Sequence, residues 1–345
     1  MDYYGVAWYD LSSIEQSTEI LYNTGSHIII WRVCRLDNTL FLILKSSRPR
    51  QWIKNLAIYA TLVFSGLFFL DFPSYIVRTT QAFLLFCVLT SSIYILNDII
   101  DLPQDKKHPF KKNRPIASGA LPIPIALFVV IVGLLSVVFF SLTFSSFFFF
   151  LALAYALLHI AYSIWLKHIA ILDVLSIATG FVIRVYAGAV VVDLHMSVWF
   201  LLTVISASLF LAVGKRQSER TLMEGRGEIT RKTLSHYSQR LLDIYTGMFA
   251  NATWLTYALY TFERDEFVPE GRLLTLFINL PKTFMTQKWL MITVPVVIYG
   301  IMRYLQLVYE KNQGESPDRV LLEDKPLLTA VGVWGVLVMV LIYGV

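Results

Sequence analysis

One short stretch of the chain gathers most of the residues that could do chemistry. From Leu96 to Ser118 it reads LNDIIDLPQDKKHPFKKNRPIAS, which sets Asn97, Asp98, Asp101 and Asp105 beside Lys106, Lys107, Lys111, Lys112 and Arg114. Carboxylates this close repel one another unless a cation joins them. Mg2+ suits such a place because it takes oxygen ligands, keeps several waters and bridges one or two carboxylates to substrate phosphates. The neighbouring cations suit the phosphates themselves, lysine as a point charge and arginine as a planar fork. The spacing i, i+1, i+4 places Asn97, Asp98 and Asp101 around one side of a helix end. Pro103 ends or bends that helix, leaving Asp105 in a loop or on a new turn. The pattern points to a metal–phosphate site. The plainer reading is a solvated helix end, with acids paired to lysines and cations that mark a membrane side or attract anionic lipid. That suffices for Lys106, Lys107 and Lys112; Lys111 and Arg114 are the functional candidates.

The elements that must carry this cluster lie in oil. The 345 residues are 56% hydrophobic and only 15% charged, with a mean hydropathy of +0.61. A bilayer core needs roughly 20 mostly apolar residues per helix. About nine such stretches occur, near 55–73, 75–97, 121–141, 144–166, 169–192, 196–213, 241–262, 289–309 and 326–345. The SLTFSS turn makes 121–166 a helical hairpin. These stretches are too long for barrel strands, and helices keep backbone hydrogen bonds internal in lipid. The expected fold is therefore all-α: a polytopic membrane protein whose partner surface is the lipid bilayer, with no nucleic acid. The first twenty residues contain Asp2, Asp10, Glu15 and Glu19 where a signal peptide would be cationic. Cys34 and Cys87, the only two cysteines, lack zinc or disulfide spacing, so a metal must be a hard cation on oxygen.

Lysine and arginine placement sets the orientation. They crowd the segment before the first span (Lys45, Arg48, Arg50, Lys54) and the loops after spans two, six and eight. The N-terminus and these loops are expected in the cytoplasm, with Val345 outside. Residues 1–44 form a separate N-terminal extension, read either as an interfacial amphipathic helix or as an irregular cover; residues 45–345 form the membrane domain. The sequence is compatible with a homo-oligomer.

Two charges sit inside the membrane. In ILDVLSIATGFVIRVYAGAVV, Asp173 lies about one turn into the fifth span and Arg184 about 16 Å further along it, at 1.5 Å per residue. An unpaired charge at mid-bilayer costs at least about 2.5–3.5 kcal/mol, so Arg184 must face a polar cavity or a carboxylate; a structural ion pair between helices is the alternative. Lys167 sits where spans four and five meet the cytoplasm, and Tyr162 and Asp173 place it in the wall of the same pocket.

The segments RPRQWIKN (48–55), NDIIDLPQDKKHPFKKNRPIASG (97–119), YSIWLKHIAILDVLSIATGFVIRVYAGA (162–189) and GKRQSER (214–220) resemble the UbiA superfamily of intramembrane prenyltransferases. Within it they look like the branch of decaprenyl-phosphate phosphoribosyltransferases. The resemblance covers about residues 45–345. It implies a nine-helix bundle around a central cavity open to the cytoplasm, in a multi-pass protein of the cell membrane. Prenyl-transferring members use two Asp-rich motifs; here the second place reads GKRQSERTLMEGRGEIT, with Lys215 and Arg216 where acids would stand. That change suits a diphosphate donor facing a phosphorylated acceptor. The implied reaction moves phosphoribose from phosphoribosyl diphosphate (PRPP) to a polyprenyl phosphate, supplying arabinose donors for cell-wall glycans. The implied roles follow. Asp98, Asp101 and Asp105 hold Mg2+, the first two as the catalytic pair, and Asn97 touches ribose or diphosphate. Lys54, Lys111, Arg114 and Lys167 hold phosphates, while Arg184, Lys215 and Arg216 orient the acceptor phosphate. No catalytic histidine is needed, and His159 is read as ordinary. Prenyl transfer to an aromatic or lipid acceptor, and transport of an anionic lipid, are the rival functions.

Overall fold

The computed structural model describes residues 38–68, 73–108, 110–224, 237–264, 288–310, 320 and 322–343. Most of the N-terminal extension therefore lies outside the described residues, as do the stretches 225–236, 265–287 and 311–319. Helical turns over 38–46 run across the expected 44/45 boundary, and Leu42 and Ile43 pack beside Ile95 and Ile116 of the main body.

The described elements are helical, with no strand among them. A 3-10 stretch, Pro49–Tyr59, leads into α1 (Ala60–Ser65); then come α2 (Ser74–Ile100), α3 (Ile123–Phe144), α4 (Ser146–Ile164), α5 (Leu172–Val191), α6 (Val198–Glu224), α7 (Gln239–Glu263), α8 (Val294–Tyr309) and α9 (Lys325–Tyr343). Seven of these are long and apolar enough to cross a membrane: α2, α3, α4, α5, α6 to Thr221, α8 with its lead-in from Trp289, and α9. The protein is a multi-pass membrane protein. The outward faces of α3 and α4 bear Phe128, Leu135, Phe139, Phe147 and Phe150, each more than half exposed, as lipid-facing helices require. The α3–α4 hairpin turns at Ser145, whose hydroxyl caps α4 by accepting the Phe148 N–H at 3.0 Å.

Two of the nine expected spans do not form helices long and apolar enough to cross a membrane. The first is a 3-10 rod and a six-residue helix closed by Gly66 at φ 86°. Its cause is tertiary. Asn55 is fully buried and donates to Thr90 Oγ1 (3.3 Å) and Cys87 Sγ (3.4 Å) of α2. The Ile58 carbonyl presses on α5 where only glycine fits: a β-carbon on Gly188 would lie 1.9 Å from it. The other, α7, has the length but carries Asp243, Asn251 and several threonines and tyrosines, too polar to qualify by composition. The sixth span overruns its expected end at 213, so Lys215 and Arg216 stand on α6 rather than in a loop.

α5 is the central post, packed against α1, α2, α4 and α6, with Asp173 and Arg184 among its buried residues. Its start, the ends of α2, α4, α6 and α8, and the starts of α3, α7 and α9 share one end of the bundle, called here the charged end.

Candidate functional site

At the charged end each acid of the Asn97–Asp105 motif meets a cation from a different segment. Asp98, 3% exposed, takes Arg48 on Oδ1 and Arg114 at 3.2 Å. Pro103 does break α2, and the one-turn helix Leu102–Asp105 that follows swings Asp105 back into the interior. Asp105, also 3% exposed, binds Arg114 Nη1 at 2.5 Å. Asp101 faces the other way, to Lys167 Nζ at 3.2 Å. Arg48 sits at φ 52°, ψ 63° directly before Pro49, a left-handed turn that aims its side chain at α2, where it also covers the Tyr94 ring at 5.1 Å. Lys54 bonds Gln51 one turn back. Lys111 lies exposed on the turn Lys111–Asn113.

A second cluster joins α4, α5 and α6. Arg216 is fully buried, with Nε 2.8 Å from Asp173 Oδ2, a charge contact whose angle is too poor for a hydrogen bond. Its Nη1 pairs with Glu219 and its Nη2 donates to Tyr162 Oη at 3.2 Å. Lys215 stands 3.9 Å from the same Glu219. Asp173 Oδ1 accepts from Tyr237 Oη at 2.7 Å, and that hydroxyl in turn accepts the Ile171 N–H at 2.5 Å. The bridge holds Ile171 at φ 72°, a conformation costly for a β-branched residue. Burial first, and the Asp173 carboxylate next, push the Tyr237 phenol above its ordinary pKa, so it stays a proton donor.

Arg184 belongs to neither cluster. It is 4% exposed and lies deeper, between the 3-10 stretch, α4 and α5, where Asn55 and Tyr155 meet it.

The structure thus gathers Asp98, Asp105 and Arg114, pairs Asp101 with Lys167, and joins Tyr162, Asp173, Lys215 and Arg216, with Arg184 apart. Sequence reasoning did not assign Arg48, Glu219 or Tyr237. Arg48 had a signal in RPRQWIKN; Tyr237, 64 residues from Asp173, had none. A groove of about 570 Å3 on α8 and α9, lined by Pro295, Tyr299, Lys325 and Val333 among others, shares no residue with these clusters.

The acidic motif fits a hard divalent cation. Its donors are all oxygen, and Asn97 Oδ1 is buried beside Asp98 without a hydrogen-bond partner. Among the described residues no three His, Cys, Asp or Glu side chains cluster closely enough to hold an ion by themselves.

A multi-pass helical bundle with acids and cations gathered at one end is compatible with an intramembrane transferase. The chain matches the UbiA prenyltransferase family over residues 57–322 and belongs to it. A decaprenyl-phosphate phosphoribosyltransferase of Mycolicibacterium smegmatis is 35% identical over 299 residues, covering 85% of this chain and 89% of that one. Its namesake in Corynebacterium glutamicum is 31% identical over 308 residues, covering 87% and 86%. A UbiA homologue from Archaeoglobus fulgidus, solved bound to GPP and Mg2+, shares the fold with a TM-score of 0.62 at 16% identity, covering 87% of this chain and 99% of that one. A digeranylgeranylglyceryl phosphate synthase does so with a TM-score of 0.58 at 17% identity, covering 90% and 99%.

Proposed function

We propose that this protein transfers the 5-phosphoribosyl group of PRPP to a polyprenyl phosphate of the decaprenyl type and releases diphosphate, at the cytoplasmic face of the cell membrane. The product suits the supply of arabinose donors for cell-wall glycans. One observation carries the reading. Asp98, Asp101 and Asp105 are each paired with a cation drawn from a separate segment, Arg48, Lys167 and Arg114, so acids for a metal and cations for phosphates are interleaved in one place. The relatives named for this activity support it.

Asp98, Asp105 and Asn97 Oδ1, with Asp101 alongside, would hold Mg2+. When bound, Mg2+ supplies charge neutralisation for the departing diphosphate. The residues of the chain do the rest. Arg48, Arg114 and Lys167 grip donor phosphates and fix the ribose. An acceptor phosphate oxygen forms the bond to ribosyl C1 as the C1–O bond to diphosphate breaks, its electron pair leaving with the diphosphate. The sugar passes through an oxocarbenium-like state, as in other glycosyl transfers. An ionised phosphate is already nucleophilic, so no side chain need act as a general base.

The test is purified protein with labelled PRPP and a series of polyprenyl phosphates, following lipid-linked label and diphosphate. Wild type is expected to form both, and Asp98→Ala and Asp101→Ala neither, with thermal unfolding preserved. Full turnover in Asp98→Ala or in excess chelator would remove the metal. Consumption of a prenyl diphosphate with an aromatic acceptor instead would replace the proposed reaction.

A further inference from the structure

Asp243 is a carboxylate at the charged end with no cation beside it. It stands on the second turn of α7, and its Oδ1 accepts three neutral donors. These are Gln217 Nε2 of α6 at 2.9 Å, Tyr309 Oη of α8 at 3.0 Å and Gln239 Nε2, one turn back on α7, at 3.4 Å. Asp173 and Asp324, by contrast, each face an arginine. Among the described residues no lysine or arginine pairs with Asp243, and its Oδ2 has no donor.

The two glutamines add a second observation. Gln217 is 1% exposed, and the carbonyl oxygens Oε1 of Gln217 and Gln239 are both buried with no hydrogen-bond partner. Burying an acceptor without a donor is unfavourable, and such atoms in a folded protein generally meet a water or an ion. Turning either amide over would aim its oxygen at the carboxylate, so rotation is no remedy. An amide's oxygen and nitrogen share one carbon, at about 1.2 and 1.3 Å, so both unmet oxygens lie within about 6 Å of Asp243 Oδ1. One carboxylate and two carbonyl oxygens, drawn from α6 and α7, thus gather where no positive group meets them.

We propose that Asp243, Gln217 and Gln239 bind a monovalent metal cation, sodium or potassium. The donors are all oxygen, which selects a hard ion. A single carboxylate balances a single positive charge, and carbonyl oxygens replace an ion's waters as they do in cation filters. Mg2+ dehydrates reluctantly and is drawn to carboxylates and phosphates, and the acids that suit it lie elsewhere, on Asp98–Asp105. Asp243 and Tyr309 are exposed, so the ion enters from water, while buried Gln217 forms the floor. Once bound, the ion ties α6 to the first turns of α7. Ser238 caps α7, and Tyr237 just before it reaches Asp173; Gln217 directly follows Arg216. The ion therefore braces from the α7 side the same group that Arg216 joins from the α5 side. The site is independent of the reaction proposed above.

The experiment unfolds the full-length protein thermally in one detergent, with the chlorides of choline, sodium, potassium, magnesium and calcium at equal ionic strength. Salt at about ten times the dissociation constant multiplies the folded-to-unfolded ratio about elevenfold and lifts the midpoint by about 2 °C over choline. Sodium or potassium is expected to give that lift in wild type and to lose it in Asp243→Asn. A magnesium effect arising at Asp98–Asp105 should survive the same substitution. Where Asp243→Asn does not fold, Gln239→Met makes the comparison, because it keeps the bonds of Gln217 and Tyr309 to Asp243. Equal wild-type midpoints in choline, sodium and potassium overturn the proposal and leave the two oxygens to water. A sodium or potassium lift that persists in the variant is a general salt effect and overturns it too. A lift given by magnesium or calcium alone and abolished by the variant overturns the monovalent assignment.

Discussion

Arg184 and Arg216 are two buried arginines on neighbouring helices, and their surroundings are opposite. Arg216 sits between Asp173 and Glu219, with a tyrosine on either side of the group: Tyr162 on the guanidinium and Tyr237 on Asp173. Arg184 is bonded to an amide, a carbonyl and a phenol. Burial alone does not mark a ligand-binding cation; what stands around it does. An arginine that brings its own carboxylates is neutralised where it stands, whereas one held by neutral dipoles is only solvated by them.

The comparison can be broken most directly by removing each charge. Arg216→Met strands two carboxylates, one of them 1% exposed, and should cost about 3–5 kcal/mol of stability, the usual loss on halving a buried ion pair. Arg184→Met leaves only neutral groups unmet and should cost about 1–3 kcal/mol. Thermal unfolding in a fixed detergent compares them, and equal losses would erase the distinction. Next in size, Arg216→Met combined with Asp173→Leu and Glu219→Leu should recover most of the single variant's loss, because well-packed apolar replacement of a whole ionic group is close to neutral. A triple variant no better than Arg216→Met would show that the group does more than join helices.

Smaller effects sharpen the picture. Tyr237→Phe keeps the buried ring and removes the bridge from Ile171 to Asp173, a loss of about 1 kcal/mol. Because the phenol's pKa is raised on folding, its contribution is present below about pH 10 and fades as pH climbs past that value. The unfolding midpoints of wild type and Tyr237→Phe should therefore converge at strongly alkaline pH. Smallest of all, Ile171→Gly relieves the left-handed backbone at φ 72° while losing a side chain that is 51% exposed. Relief of about 1–2 kcal/mol against about 0.5–1 kcal/mol of added chain entropy leaves a net gain of roughly half a kcal/mol. A clear destabilisation there would mean that the side chain, not the turn, matters.

Much of this was written in one dimension. Apolar runs of membrane length marked α2 to α6, α8 and α9, and Pro103 marked where Asp105 leaves α2. Acids followed by cations between Asn97 and Arg114 marked a cluster, and the structure does bring Asp98, Asp105 and Arg114 together. What escaped depended on contacts far apart in the chain. The 3-10 rod from Pro49 to Tyr59 follows from the meeting of Ile58 with Gly188, which no local pattern encodes. Lys215 and Arg216 looked alike as a basic pair, yet one stands beside Glu219 partly exposed and the other is sealed against Asp173. The unmet nitrogen of His159 shows only when α4 lies against Gly180 of α5.

The pairing of Asp98 and Asp105 with Arg48 and Arg114 has a thermodynamic corollary. On the proposed roles, the arginines would turn from these carboxylates toward donor phosphate while the carboxylates take up the divalent ion. Two exchanges of partner thereby become one event. Linkage then requires that magnesium raise the affinity for donor by the same factor as donor raises the affinity for magnesium. A fall in free magnesium would, on the proposed roles, weaken donor binding by that same factor.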